Sequence, residues 1–102
     1  MKSADRCTTI EEVRSAIDAI DHELIQLLGE RFQYVKQVIK FKEPTEEGIV
    51  AKERFESVIQ SRRELALKYG LDQDLIERIY RELLNYFIAE ELKLMKDKLR
   101  TS

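Results

Sequence analysis

The sequence predicts an all-α chain of three helices, one of them very long, that pairs with a second copy as an intertwined homodimer. Three observations carry this. Ile10, Val13, Ile17, Ile20, Leu24 and Leu27 recur at alternating three–four spacing, the period of one helix face. Helix breakers are scarce, with three glycines and one proline in 102 residues, so a fold of many strands and tight turns has no punctuation to build it. The stretch from Val13 to Lys42 holds no proline and only Gly29. As a helix it runs about 45 Å at ~1.5 Å per residue, against a radius of gyration of about 13 Å for a compact chain of this size. One chain is too small to cover it, which is why a second copy is expected.

Composition narrows the class. Residues 1–102 make one domain by length. A charged fraction of 37% suits amphipathic helices with wet outer faces. The net charge of −2, with both signs mixed along the chain, argues against a nucleic-acid partner, which calls for a basic stripe. No apolar run approaches the ~20 residues that span a bilayer, so no membrane association is expected. The single Cys7 has no intramolecular partner, and no signal-peptide core is visible, so a reducing cytoplasm is the expected location.

Helix one is expected over about 9–42. Thr8 and Thr9 precede Glu11 and Glu12, and either Thr-x-x-Glu pairing forms a capping box. Pro44 disfavours the α conformation at Glu43 and ends the helix. EPTEEG, residues 43–48, reads as a polar, mobile loop. Helix two follows over about 49–69, with Ile49, Val50, Phe55, Val58, Ile59, Leu65 and Leu67 as apolar marks and a polar middle, QSRREL. Gly70 suits the C′ position, where positive φ is needed. Asp72 is the expected N-cap of helix three, over about 72–99, with Leu71 stapled onto Ile76.

Several polar residues stand out. Arg31 occupies an apolar register position in helix one. On a continuous helix, Arg31 and Lys42 lie about 20° apart around the axis and about 16 Å apart along it, so they share a face. Arg14 lies about 100° off that face. Arg54 follows the 43–48 loop. Arg14 and Arg54 read first as solvated side chains or weak surface pairs. Arg31 reads equally as a snorkelling structural residue or as a ligand-binding one. If the four cations converge, they imply a small, multiply anionic ligand. Glu91 falls on the stripe Tyr80, Leu84, Phe87, Met95, where a carboxylate is costly unless paired or protonated. An exposed stripe edge, or Glu90 facing inward in its place, is the simpler reading. His22 has no second histidine near it, so no metal site is expected, and the absence of a Gly-rich phosphate loop leaves a nucleotide cofactor unsupported.

Taken together, VRxAIDxID…LIxLLxxRFxYVKxVxxFK, with CTTIEEVR, YGLD and YFIAEE, resembles the all-helical chorismate mutase family, the type II fold, over essentially the whole chain. Within it the sequence is most similar to the isochorismate pyruvate lyases that make salicylate for siderophores. The resemblance implies an intertwined dimer of three-helix chains with two sites. Arg31, Lys42 at the edge of a lid, Arg54 and Glu91 would bind a small dianionic substrate, with Arg14 contributed to the partner's site. It implies a cofactor-free pericyclic reaction, with Lys42 and Glu91 as the catalytic donors.

Two departures bear on activity. Family mutases follow the helix-two arginine with a glutamate that binds the ring hydroxyl of chorismate, and here Phe55 follows Arg54, as an apolar residue does in the lyases. Where the lyases and many mutases have glutamine, this chain has Glu91, which donates a hydrogen bond only when protonated. The expected function is therefore isochorismate pyruvate lyase with weak chorismate mutase activity. Chorismate mutase as the main activity is the second reading, and a non-catalytic helical dimerisation module the third.

Overall fold

A computed structural model describes the backbone of residues 2–101 and the side chains of residues 2–97. The described regular structure is entirely helical: a 3₁₀ turn at Ala4–Arg6, then α1 (Ile10–Val38), α2 (Glu46–Val50), α3 (Lys52–Lys68) and α4 (Gln73–Thr101). The all-α class expected from the sequence is what the chain adopts. It divides into two compact units, Met1–Tyr34 and Val35–Ser102.

In the N-terminal unit Thr9 caps α1 through Glu12, as one half of the expected capping box, while the reciprocal bond goes to Thr8 instead of Thr9. The Glu12 amide donates to Thr9 Oγ1 at 3.1 Å, while the Glu12 carboxylate accepts from the Thr8 amide and hydroxyl. Lys2 closes on the same carboxylate at 3.1 Å and holds it below the usual carboxylate range, helped by the Thr8 bonds against partial desolvation. No residue of α1 is buried. Its predicted seam, from Ile10 through Leu27, stands at least 41% exposed at every position.

The C-terminal unit is built around a core of its own. Val58, Ile59 and Ala66 from α3 meet Phe87 and Met95 from α4 as buried residues. The turn between these helices follows the sequence closely. Gly70 takes φ +72°, the Leu71 amide donates to Ala66 O at 2.8 Å and the Gly70 amide to Leu67 O at 3.3 Å, which is the Schellman pattern. Asp72 Oδ1 then caps α4 by accepting the Leu75 amide at 2.9 Å. The polar middle of α3 is used rather than wasted. Arg63 bridges Asp74 and Glu77, and Arg81 bridges Glu77 and Glu56, so that charges clamp α3 to α4. The Arg81 bond, then the Arg63 bond, hold the Glu77 carboxyl below its ordinary value against desolvation.

Two expectations need correction in this unit. Helix one ends at Val38, not near Lys42, because its last bonds tighten: the Lys40 amide donates to Gln37 O and the Phe41 amide to Val38 O, three residues back instead of four. The segment expected as a loop at 43–48 and a helix from Ile49 is instead a one-turn helix, a break, and a second helix. Thr45 is the N-cap of α2; its hydroxyl accepts the Gly48 amide at 3.0 Å and its carbonyl the Ile49 amide at 3.0 Å. A β-carbon at Gly48 would lie 2.6 Å from the Glu43 carbonyl, so the turn needs glycine there. Ile49 is fully buried and anchors α2, which packs on α4. The break falls at Ala51, at φ 44° and ψ 63°, a left-handed geometry that costs an L-residue roughly 1–2 kcal/mol.

Candidate active site

Lys42 and Glu91 are far apart in the chain and adjacent in the fold. Lys42 leaves the turn that follows α1, and α4 carries Glu91 inward between Phe87 and Met95, one turn away on either side. The Lys42 ammonium donates to Glu91 Oε2 at 2.8 Å and to the backbone carbonyl of Ile49 at 2.7 Å. The Glu91 side chain keeps 7% of its exposure and that of Lys42 keeps 20%. A carboxylate on an apolar stripe is thus buried, and its charge is met by a cation rather than by water. Glu91, not Glu90, is the inward residue; Glu90 pairs with Lys93 at 3.4 Å along the helix.

An ammonium has three protons to donate. Two of those on Lys42 are committed to fixed acceptors on α2 and α4, which leaves one uncommitted. Lysine carries a flexible four-carbon stem, so two anchors convert a mobile charge into an aimed one.

Arg54 stands on the exposed side of α3, outside this pair, with no ion-pair partner among the described residues. Phe55, beside it, is half-buried under the Arg81 guanidinium, 5.7 Å from the ring centroid, and Arg81 is held in turn by Glu77 and Glu56. The residue that follows Arg54 is therefore an apolar ring locked by a cation–π contact. Arg14 and Arg31 belong to the N-terminal unit: Arg14 is exposed on α1 and Arg31 half-buried. The shared face inferred for Arg31 and Lys42 assumed a helix continuing through Lys42. Since α1 ends at Val38, that wheel relation does not hold.

The Ile49 carbonyl was not anticipated as part of the site. The signal for it was present: Thr45 followed by two glutamates is a helix start with acidic residues in its first turn. A recess of about 800 Å³ on the N-terminal unit, lined in part by Lys2, Cys7, Glu11 and Ser15, holds none of the five candidate residues. Among the described residues no group of three or more His, Cys, Asp or Glu stands together, and no helix is long and apolar enough to cross a membrane.

Residues 13–92 match the family model described as chorismate mutase type II. An isochorismate pyruvate lyase of Pseudomonas aeruginosa is 37% identical over 93 residues, covering 91% of this chain and 91% of that protein. A T-protein of Haemophilus influenzae is 40% identical over 80% of this chain, which spans only 22% of that protein's length. A bifunctional chorismate mutase/prephenate dehydratase of Aquifex aeolicus is 31% identical over 83% of this chain, which spans 24% of its length.

Proposed function

The chain belongs to the chorismate mutase type II family, and from that premise we propose that it is an isochorismate pyruvate lyase with a weaker chorismate mutase activity. The observation that carries the enzyme reading is the meeting of Lys42 with Glu91 and the Ile49 carbonyl, an aimed ammonium beside a buried carboxyl. Preference for the lyase is supported by the likeness to a lyase along nearly the full length of both chains, and by the apolar Phe55 after Arg54.

In the proposed reaction, hydrogen moves from the ring to the enolpyruvyl methylene as the ring C–O bond breaks. Pyruvate leaves with the ether oxygen as its carbonyl, and the ring becomes aromatic salicylate. The step is concerted and needs no nucleophile. Catalysis then consists of holding the side chain over the ring and stabilising charge that develops on the ether oxygen. Lys42 donates its third proton to the ether-oxygen and carboxylate region. Arg31, and Arg14 supplied by a second copy, clamp the two carboxylates. Arg54 supports the ring side. Glu91, once protonated, donates to the ether oxygen. The second copy covers the exposed seam of α1 in a homodimer.

A carboxyl donates only with its proton on. Glu91→Gln, which donates at any pH, should therefore turn over at least as fast as the wild type, whereas Glu91→Ala should lose about 10²–10³-fold in kcat. Wild-type turnover in Glu91→Ala would remove Glu91 from this role.

Chorismate mutase as the main activity is the second reading, favoured by the relative named as a chorismate mutase/prephenate dehydratase. The deciding experiment is a side-by-side assay of purified protein with isochorismate, read by salicylate fluorescence, and with chorismate, read by prephenate formation. A much larger kcat/KM for isochorismate supports the lyase. The reverse makes the protein a mutase that works without a hydroxyl-binding glutamate.

A further inference from the structure

Alanine is the best right-handed helix former, and the segment from Ile49 to Tyr69 contains neither glycine nor proline. Sequence preference alone would run one helix through it. The chain instead places Ala51 in the left-handed region, in neither α2 nor α3. Such geometry persists only where the surroundings hold it, and it concentrates at functional sites.

The effect of the break is specific. In a continuous helix the Ile49 carbonyl would accept the amide four residues on, that of Glu53. With the helix interrupted, the Ala51 amide bonds back to Glu47 O at 3.0 Å and the Ala51 carbonyl starts α3 by accepting the Phe55 amide at 3.0 Å. The Ile49 carbonyl lies between these two ladders and accepts from Lys42 Nζ at 2.7 Å. A charged donor on a carbonyl at the C-terminal end of a helix makes a strong bond. The fully buried Ile49 side chain fixes where that carbonyl stands.

We propose that Ala51 is a positioning residue for Lys42: its left-handed conformation releases the Ile49 carbonyl from the helix ladder so that it anchors the lysine ammonium and aims the remaining proton at the substrate. The proposal rests on the reading of Lys42 as a substrate-contacting donor, and the test separates the two. Ala51→Gly, Ala51→Val, Lys42→Ala and the double variant Ala51→Val/Lys42→Ala are assayed for kcat and KM with isochorismate and with chorismate, and amide hydrogen exchange is followed at Glu53.

Glycine adopts positive φ without a steric cost, so Ala51→Gly keeps the wild-type kcat and does not lower Tm. A β-branched side chain is excluded from positive φ far more strongly than alanine. Ala51→Val therefore forces the position out of the left-handed region, joins α2 to α3, protects the Glu53 amide, and lowers kcat on the order of ten- to a hundredfold through misplacement of Lys42, with KM changing less. In the Lys42→Ala background the same substitution costs nothing further, because the group it positions is gone. Equal losses in both backgrounds would overturn the proposal, as would a wild-type kcat in Ala51→Val with Glu53 protected. If Ala51→Val does not fold, Ala51→Gly decides alone: a tenfold loss of kcat with a lower Tm overturns the proposal. Unchanged turnover in Lys42→Ala would instead sink the reading of the site beneath it.

Discussion

α1 and α4 have the same length, 29 residues, and each carries an apolar stripe at helical spacing. They differ in what they cover. α4 buries Phe87, Met95 and even Glu91 within its own chain, whereas α1 buries nothing. Hydrophobic period states that a helix has a face to hide, and it is silent on whether the cover comes from the same chain or another. The same contrast divides the candidate site. Lys42 and Glu91 are already assembled inside the C-terminal unit, while Arg14 sits exposed on the uncovered helix of the other.

The strongest test of that division is catalytic. Lys42→Ala should lower kcat by about 10²–10³-fold in a folded protein, the usual loss for a donor to developing charge. Arg14→Ala should be similarly impaired if a second copy supplies that arginine. Mixing the two inactive variants should then restore about a quarter of wild-type turnover after random re-pairing, since each mixed dimer rebuilds one intact site. No recovery on mixing would place all five residues of a site in one chain.

Stability gives the next contrast. Ile59→Ala removes a buried side chain from the C-terminal core and should cost about 2–5 kcal/mol in denaturant unfolding. Leu24→Asp is made on the exposed seam of α1. On a free surface it would shift stability by no more than about 0.5 kcal/mol. Under a second chain it should weaken association by at least ~30-fold, in the range of an interface hot spot, by sedimentation. An unchanged oligomeric state would show that the seam is not a dimer contact.

The smallest expected effect is pH-dependent and confined to the clamp between α3 and α4. Glu77 has a folded value lowered from 4.5, chiefly by Arg81 and then by Arg63. Its contribution to stability is complete above the unfolded value and is lost as pH falls through the lower, folded one. Acid unfolding of Glu77→Gln should accordingly be less steep below pH 4.5 than that of the wild type.

Much of this architecture was legible because it is written locally. Thr9 with Glu12, Gly70 and Asp72 each fix one helix end through bonds spanning five residues or fewer, and each lies where the sequence places it. α2 escaped notice because one turn is too short to show a period, and its Thr45 cap sits in a segment whose charge and proline read as loop. Ala51 could not be found by propensity, which points the other way. Glu91 was visible as a carboxylate on an apolar stripe, but nothing local reveals its partner 49 residues upstream. The proposed roles of Arg14, Arg31 and Arg54 came from resemblance to a family, and on periodicity alone they would pass for ordinary surface cations.

The burial of Ile49 has a kinetic consequence. If α2 swings off α4, that side chain enters water, at a cost of about 1.5–3 kcal/mol. At equilibrium such a cost leaves between about one molecule in ten and one in a hundred and fifty open. A ligand that enters only through the open form has its association rate scaled down by that fraction. One buried aliphatic side chain would then set how often α2 stands open, and Ile49→Val should speed such entry by loosening that anchor.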